Sequence, residues 1–447
     1  PTDTFRALKE LSRRDEFFRT IFHSFIRIVN GFMLAVVCGL ILAVLSAFCN
    51  MMRMLLAPFM RLIKAVPVAS FIILALLWID SKNLSTLISF IMVMPVIYIN
   101  VIQGFEHVDK NMLEMAKVFG VPLGRKLRFI YMPALLPAFI AACKIGLGFC
   151  FKSGIAAEVI GLPAESIGTE LYKSKLYLMT DELFAWTIVI IAMSVFFEGI
   201  CIYILNKLSV RVKNIHSIPI KEAEGKNRKN SKSSMLVMEN IKSGSFEVEL
   251  DSISKSFKGH KVLNDVNLTV CAGKPKCIMG ESGIGKTTLL KIILGLMKPD
   301  GGQIIIPEGK RKAVVFQEDR LIEDADVYTN MYCVLGKRFD KEIVDKHLRM
   351  TGLEGIGNKK VKELSGGMKR RTAVIRAVLA DTEIILLDEA FKGLDIESRD
   401  VMLEYIKRCC RDKVTILVSH DRIEGEKIGA EIIDLNNINE VKTNESK

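Results

Sequence analysis

The sequence has few aromatic residues, and none are interleaved with its basic clusters. Only 8% of the 447 residues are aromatic, two of them tryptophan, although the net charge is +12. Residues 206–234 alone contain eight Lys or Arg against two Glu, a net +6. Nucleic-acid-binding surfaces combine basic residues with aromatic stacking platforms, so the composition argues against DNA or RNA as a partner. A basic run after a hydrophobic segment instead indicates the cytoplasmic side of a membrane.

Metal-ligand spacing is also missing among the ten cysteines. Five of them, Cys38, Cys49, Cys143, Cys150 and Cys201, lie in or near apolar segments. We expect them to be small buried side chains in reducing or lipid surroundings and not disulfides.

The first half lacks long polar stretches. Apolar runs cover residues 28–49, 65–79, 84–102, 134–151 and 183–205. Several approach or exceed the ~20 residues that cross a bilayer, and five such runs in a soluble core would leave little polar surface to cover them. Residues 1–212 are therefore predicted to form an all-α polytopic membrane domain of about five spans, surrounded by lipid.

A glycine-rich segment in the second half lies between a short apolar run and a helix-like run. The pattern Gly-x-x-x-x-Gly-Lys-Thr in a strand–helix context predicts a loop whose backbone N–H groups surround phosphates, with a lysine near the β- and γ-phosphates and a hydroxyl for Mg²⁺. The helix start adds the positive end of a dipole. The loop residues predicted to bind ATP are Gly280, Glu281, Ser282, Gly283, Ile284, Gly285, Lys286, Thr287 and Thr288. Residues 248–447 are thus predicted to be an α/β P-loop domain, after a basic linker at 213–247.

Five further motifs follow the order of the ATP-binding cassettes of ABC transporters, which this half resembles. They are Phe257, Val314 to Asp319, Leu364 to Met368, Ile384 to Glu389 with Gly393 to Asp395, and Val414 to His420. Each motif alone could be structural, such as a core phenylalanine or a Gly-Gly turn. The phosphate loop and the five further motifs in this fixed order have no such structural explanation.

The resemblance implies a role for each motif. Phe257 stacks on adenine, Gln317 contacts Mg²⁺ and the attacking water, and Asp388 holds Mg²⁺ together with Thr287. Glu389 orients or deprotonates the water and His420 contacts the γ-phosphate, which makes these two the predicted catalytic residues. Ser365, Gly366 and Gly367 bind the γ-phosphate held by a partner subunit, and Asp395 belongs to the next loop. A homodimer with two composite ATP sites follows.

The 106–133 loop resembles the Glu-Ala-Ala loop of binding-protein-dependent importer permeases. Glu114, Ala116, Gly120, Ile130 and Pro133 occupy matching places, with Met115 for the middle alanine. In that family the loop forms a coupling helix that docks on the ATPase. By itself, the segment from Glu114 to Gly120 is a short amphipathic helix ended by glycine.

Details point to the nitrate, sulfonate and taurine-type importers. Met368 stands where the signature motif usually has glutamine, as it does in that group. The residues from Phe316 to Asp319 also match the sequence of that group. Three features depart from it: Ala390 stands where proline normally follows the catalytic glutamate, the stretch between Gln317 and Leu364 is short for a helical subdomain, and permease and ATPase share one chain.

A cytoplasmic ATPase determines the orientation of the spans. The segment after residue 205 leads to the ATPase and must be inside, and successive spans before it alternate in direction. This places the basic loops 50–64 and 106–133 inside and the acidic loop 161–182 outside, as the positive-inside rule requires. Residues 5–27 disagree, because they carry six Arg or Lys and yet fall outside. The chain begins at Pro1, and a span upstream of it would be consistent with an outside flank.

Lys144, Glu158 and Glu198 interrupt apolar runs. Such residues usually face a bundle interior or an aqueous path. A solute path and a structural pair between Lys144 and Glu158 are equally compatible with the sequence.

The predicted function is ATP-driven import of a small solute across the cell membrane, with the solute delivered by an extracellular or periplasmic binding protein and the ATPase domain cytoplasmic. An exporter is the alternative with the same chemistry, against which the Glu114–Pro133 loop argues. A nucleotide-gated scaffold that does not hydrolyse ATP is another, against which Glu389 and His420 argue. The subgroup resemblance implies a small solute such as an organic anion, and the same branch is also associated with neutral or cationic vitamin precursors, so both kinds of cargo are compatible with it.

Overall fold

A computed structural model describes residues 2–214 and 246–436. The described residues within 1–108 and 131–212 form one compact unit, the membrane unit, and those within 109–130 and 213–447 form a second, the nucleotide unit. The predicted linker, 213–247, lies largely outside the described residues.

The membrane unit is helical, as predicted. Its helices are α1 (Thr2–Leu11), α2 (Asp15–Phe48), α3 (Asn50–Ala65), α4 (Val68–Ala75), α5 (Ser81–Glu106), α8 (Met132–Gly161), α9 (Ile167–Leu176) and α10 (Thr180–Asn214). Four helical stretches of the described chain are long and apolar enough to cross a membrane, namely 15–48, 81–106, 123–161 and 180–210.

The apolar run at 65–79 does not form one straight helix. Helices α3 and α4 meet at a bend of 101°. Pro67 explains the break, because proline disfavours helical backbone at the preceding residue, and Val66 is extended at φ −78° and ψ 132°. The fifth predicted span is therefore a broken one.

Contacts between α2 and α5 show that these helices run parallel. The Thr86 hydroxyl donates to the Arg27 carbonyl at 2.9 Å, and a Cβ on Gly39 would lie 2.9 Å from the Cβ of Ile97. Helix α8 runs antiparallel to α5, since Ser85 donates to the Gly154 carbonyl and Ser89 to the Cys150 carbonyl. Two parallel spans require the chain between them to cross back, so the bent pair supplies the fifth crossing.

The amino-terminal basic residues pair with the acidic loop between α8 and α10. Arg14 lies 2.7 Å from Glu182, and Arg19 lies 3.2 Å from Glu165. The start of α2 therefore lies at the same end of the bundle as that loop. This neutralisation accounts for a basic segment on the side that the span count calls outside.

Glu158 is fully buried and is held by neighbours other than Lys144. It accepts hydrogen bonds from the Ser24 hydroxyl at 2.7 Å and from the Gly168 N–H at 3.3 Å. Arg27 lies 3.7 Å away. The alternative of a Lys144–Glu158 pair is therefore wrong; Lys144 is exposed on α8, and Glu198 is half-buried on α10.

The nucleotide unit is built on two sheets, as expected for an α/β P-loop domain. Strands β1 (Glu247–Phe257), β2 (His260–Cys271) and β4 (Gly301–Ile305) form an antiparallel sheet in the order β2-β1-β4. Strands β3 (Lys276–Met279), β5 (Lys312–Val315), β6 (Ile384–Asp388), β7 (Val414–Val418) and β8 (Glu431–Asp434) form a parallel sheet in the order β5-β6-β7-β3-β8. Carboxyl ends of parallel strands meet at one edge, where ligands bind in such folds.

Helices cover this sheet. The first two of them lie within residues 109–130, which we call the coupling segment. The helices are α6 (Lys110–Val118), α7 (Leu123–Lys126), α11 (Lys286–Ile293), α12 (Val327–Leu335), α13 (Lys341–Met350), α14 (Gly366–Leu379), α15 (Ile396–Cys409) and α16 (Arg422–Ile428). The stretch between Gln317 and Leu364 is short, yet it forms α12 and α13. All ten cysteines are free, and Cys143, Cys150 and Cys201 are buried as predicted; the same prediction was wrong for Cys49, which is exposed, and Cys38 is half-buried.

His347 connects this helical region to the rest of the nucleotide unit. Its Nδ1 lies 2.8 Å from the Tyr405 hydroxyl, and burial, with the charges of Lys346 and Lys413, lowers the pKa of His347 to about 4. The native state therefore holds this imidazole neutral where an unfolded chain would already protonate it.

We predict a loss of stability in acid that depends on His347. The unfolded state takes up a proton below pH ~6.5 and the native state only near pH 4, so stability falls as the pH drops between these values. From pH 7 to pH 5 the loss is about 2 kcal/mol. Thermal unfolding at both pH values should show a smaller difference for His347→Gln than for the natural chain, and an equal difference would contradict the assignment.

Candidate functional site

The phosphate loop joins β3 to α11 at the carboxyl edge of the sheet. Gly280, Gly283 and Gly285 have φ of +148°, +89° and +108°, values that glycine adopts readily and other residues rarely. The Lys286 ammonium donates to the carbonyls of Gly280 at 2.6 Å and Glu281 at 2.8 Å, which holds the loop closed around a buried cation.

Charges around Lys286 are balanced by nearby carboxylates. Burial lowers the pKa of Lys286, and the carboxylates of Glu389, Asp388 and Asp434 act in the opposite direction. A lysine so placed presents a fixed positive charge to an anion that enters the loop.

Asp388 ends the buried strand β6 beside Thr287 of α11. Burial raises the pKa of Asp388, a hydrogen bond from Thr287 opposes this, and the charge of Glu389 adds to it. A buried carboxylate, a hydroxyl and the side-chain oxygen of Gln317 are the hard oxygen donors that suit Mg²⁺. Among the described residues, no group of three or more His, Cys, Asp or Glu is arranged so that it could hold a metal ion.

Glu389 lies at the centre of a polar cluster. Its carboxylate is 3.3 Å from His420 Nε2, 3.4 Å from Gln317 Nε2 and 2.7 Å from Lys392 Nζ. Burial is the largest influence on the pKa of Glu389 and raises it, but Lys392 and His420 together outweigh it and lower the pKa. Glu389 also has φ +48°, a strained conformation for a residue with a side chain and one that concentrates at functional sites.

Three predicted motifs lie apart from this cluster. Phe257, at the end of β1, is 42% exposed, with Lys255 Nζ 5.7 Å from its ring centroid. Ser365 caps α14 and accepts from the Met368 N–H at 3.3 Å, and Asp395 caps α15 through the Ser398 N–H at 2.8 Å. Within the part of the chain that the structure describes, no hydrogen bond joins Ser365, Gly366 or Gly367 to the phosphate loop.

The coupling segment packs on the loop that follows β5. Glu114 forms an ion pair with Arg320 at 2.8 Å, and the Asn111 amide donates to Glu318 at 2.9 Å. Ala116 is fully buried, and Met115 belongs to the hydrophobic core of the nucleotide unit. The coupling segment therefore packs as part of the nucleotide unit and is more than a connector.

Gly120 ends α6 as its sequence position predicts. Its φ is +61°, and its N–H bonds to the Lys117 carbonyl while Val121 bonds back to Ala116. Such a left-handed residue terminates a helix and satisfies its last carbonyls.

Arginines of the helix after Ser365 were missed by sequence reasoning. Arg370 donates to the carbonyls of Phe316 at 2.7 Å and Gln317 at 2.5 Å. Arg376, only 1% exposed, donates to those of Arg320 at 2.7 Å and Asp319 at 3.1 Å. Arg376 is the lone charge in the apolar run from Ala373 to Leu379, which is the signal that would have indicated it, whereas Arg370 stands in a basic run and gave none.

A cavity of about 210 Å³ connects the two regions. Thr287, Asp388 and Gln317 line it, and so do Asn111 and Arg320. The predicted Mg²⁺ ligands and the coupling segment thus share a common space in the nucleotide unit.

Comparison with known families accounts for both halves. Residues 35–212 match the family model of the binding-protein-dependent transport system inner membrane component, and residues 263–392 match the ABC transporter model. The chain therefore joins a permease domain of the binding-protein-dependent type to an ABC ATP-binding domain, in a multi-pass membrane protein.

Relatives of the second half are import ATP-binding proteins. The spermidine/putrescine import ATP-binding protein PotA of Mycoplasma capricolum is 37% identical over 42% of this chain and 58% of its own length. The sulfate/thiosulfate import ATP-binding protein CysA of Synechocystis sp. is 34% identical with the same coverage. The chain thus spans little more than half the length of these curated relatives.

Among solved structures, the chain is similar to the dimeric structure of MJ0796, described as a bacterial ABC transporter cassette. That similarity has 28% sequence identity, covers 42% of this chain and 93% of the other, and has a TM-score of 0.39.

Substitutions in the phosphate loop should separate steric from conformational demands. A Cβ on Gly285 would lie 2.8 Å from Val262 Cγ1 and 2.9 Å from Leu263 Cδ2, whereas one on Gly283 meets nothing within 4 Å. We expect Gly285→Ala to weaken binding of a fluorescent ATP analogue at least about tenfold, or ~1.4 kcal/mol. Gly283→Ala carries only backbone strain and should cost less; equal losses would contradict the described loop geometry.

Proposed function

We propose that this protein is an ATP-driven importer that takes up a small solute delivered by an external binding protein. The observation that carries the proposal is the contact between Glu114 and Arg320, because it attaches a loop of the permease domain to the ATPase beside Gln317. An exporter of this superfamily would have no use for the binding-protein-dependent permease type that residues 35–212 match.

In this proposal the protein promotes ATP hydrolysis by positioning the reactants and by neutralising the charge of the phosphates. Lys286 and the loop N–H groups hold the phosphates, and Phe257 stacks on the adenine. Thr287, Asp388 and Gln317 hold Mg²⁺, which when bound neutralises phosphate charge. Glu389 accepts a proton from the attacking water, and His420, 3.3 Å from that carboxylate, is placed to contact the γ-phosphate.

Glu389→Gln tests the assigned base. The amide keeps the shape of the side chain but cannot accept the proton, so nucleotide binding should persist while hydrolysis falls by ~10²–10⁴-fold. Lys286→Ala should instead weaken nucleotide binding itself. A steady-state ATPase assay with a parallel binding measurement distinguishes the two, and natural turnover in Glu389→Gln would place the base elsewhere.

A homodimer completes the ATP site in this proposal. Ser365, Gly366 and Gly367 sit at the start of α14 with exposed or half-buried backbone, suited to a γ-phosphate held by Lys286 of a second copy. The finding of active monomers by mass measurement in mild detergent would contradict this arrangement.

Coupling can be followed through the two tryptophans. Trp78 and Trp186 both belong to the permease domain, and the ATP-binding domain has none. A change in tryptophan fluorescence on addition of Mg²⁺ and the non-hydrolysable analogue AMP-PNP therefore reports a response of the permease to events in the ATPase.

Reversing the charge of Glu114 tests the proposed contact. Glu114→Arg places two cations together at the present 2.8 Å ion pair, so the fluorescence response should be lost while nucleotide binding remains. The additional change Arg320→Glu restores opposite charges and should recover part of the response. Lys110→Glu, at the exposed start of α6, is the control and should behave like the natural chain.

The solute proposed is an anion such as a sulfonate, nitrate or taurine-like molecule. Lys144 lies near the middle of the 30-residue helix α8, Lys152 lies two turns further on, and both are exposed. Neither forms an ion pair or hydrogen bond among the residues described. Unpaired cations in a span are costly unless they face an aqueous path. The two lysines would attract an anion and repel a polyamine. Polyamines are the solutes for which the relative from Mycoplasma capricolum is named.

Lys144→Met tests the nature of this path. Uptake of radiolabelled taurine, sulfate and putrescine should be measured in vesicles with the cognate binding protein. If Lys144 attracts an anion, the variant should lose uptake of taurine or sulfate and keep its fold and ATP hydrolysis. Unchanged anion uptake, or putrescine as the transported solute in the natural chain, would contradict the assignment.

A further inference from the structure

The coupling segment makes a second attachment, remote from Glu114. The guanidinium of Arg125 donates from Nη1 toward three successive carbonyls of α12: Tyr332 at 3.2 Å, Cys333 at 2.7 Å and Val334 at 2.9 Å. Arg125 is half-buried there. Beside it, the ring of Phe129 lies 6.1 Å from that of Tyr332.

The end of α12 is chemically suited to an arginine. The last four carbonyls of a helix have no partner within the helix, and the negative end of its dipole lies there. The Tyr332 carbonyl also accepts the backbone N–H of Gly336. A planar cation with several N–H groups satisfies neighbouring carbonyls together in a way that the single ammonium of lysine does not.

Gly336 leaves the space that Arg125 occupies. A Cβ at this position would lie 2.6 Å from Arg125 Cζ and within 2.8 Å of both terminal nitrogens. Gly336 also has φ +59°. Any side chain here would displace the guanidinium, so the arginine and the glycine form a matched pair.

The two ends of α12 are held by different partners. At its start, Asn330 accepts from the Ile322 N–H at 2.7 Å and donates to the Ile322 carbonyl at 3.1 Å. Ile322 follows the segment Gln317 to Arg320, which contacts Glu389 and Glu114. At its other end α12 is held by Arg125, so the coupling segment contacts both the loop after β5 and the helix that is hydrogen-bonded next to that loop.

We propose that Arg125 and Gly336 form a second coupling contact, through which displacement of α12 reaches the permease domain. The inference rests on the proposed coupling function and adds a positioning residue that the Glu-Ala-Ala resemblance does not include. In this proposal, Glu114 transmits a movement of the loop after β5, and Arg125 transmits a movement of the carboxyl end of α12.

Four variants of the full chain in lipid nanodiscs test the proposal: Arg125→Ala, Arg125→Lys, Gly336→Ala and the double variant Arg125→Ala/Gly336→Ala. We expect Arg125→Ala to reduce the AMP-PNP-induced change in tryptophan fluorescence at least about fivefold, with nucleotide affinity within about twofold of the natural chain. Gly336→Ala should match it, and the double variant should be no worse than either single one. Arg125→Lys should retain part of the response.

Lys126→Ala is the matched control, since it removes a neighbouring positive charge that makes no hydrogen bond or ion pair in the part of the chain described. A natural response in Arg125→Ala, additive losses in the double variant, or an equal loss in Lys126→Ala would overturn the proposal. Hydrogen exchange supplies a second measurement: the amides of 332–336 and 122–130 should exchange faster in Arg125→Ala than in the control, and unchanged exchange would overturn the contact itself. If the natural chain shows no fluorescence response, the coupling function fails and the exchange result still judges the contact.

Discussion

Four consecutive residues after β5, Gln317 to Arg320, lie between the proposed catalytic glutamate and the coupling segment. Gln317 lies against Glu389, and Arg320 lies against Glu114, so one short loop touches the proposed base and the coupling segment. Arg370 and Arg376 fix the loop's carbonyls to α14, the helix that begins at Ser365. The contacts that Arg370 and Arg376 make with these carbonyls are buried or partly buried, so their loss would leave polar groups without partners, and such groups are expensive.

The catalytic motifs were predictable because each is contiguous and depends on local geometry. A glycine-rich loop between a strand and a helix, or two carboxylates at a strand end, places its groups by backbone alone. The contacts of Arg320 and Arg125 were not predictable in this way. Both join segments some two hundred residues apart in the sequence, and an exposed-looking arginine carries no signal of the carbonyls or carboxylate that it will meet. Lys392, three residues after Glu389, was overlooked because lysine in a turn usually faces water.

In the permease domain, composition predicted helices but not their connection. Hydropathy found each apolar run, yet the break at Pro67 appears only in the backbone, and the parallel course of α2 and α5 appears only in contacts such as Thr86 with Arg27. The basic residues at 5–27 disagree with the span count under the rule that positive charge stays inside. Arg14 and Arg19 are paired with Glu182 and Glu165, so part of this charge is compensated locally and gives a poor guide to orientation.

Permease and ATPase belong to one polypeptide, and this changes what the interface has to achieve. Separate subunits must bind each other tightly enough to stay assembled at cellular concentrations. Within one chain, association is intramolecular, and the effective concentration of one partner near the other replaces much of the intrinsic affinity. If the proposed coupling function holds, the contacts of Glu114 and Arg125 need supply none of the affinity that keeps two subunits together, so polar and reversible contacts are sufficient.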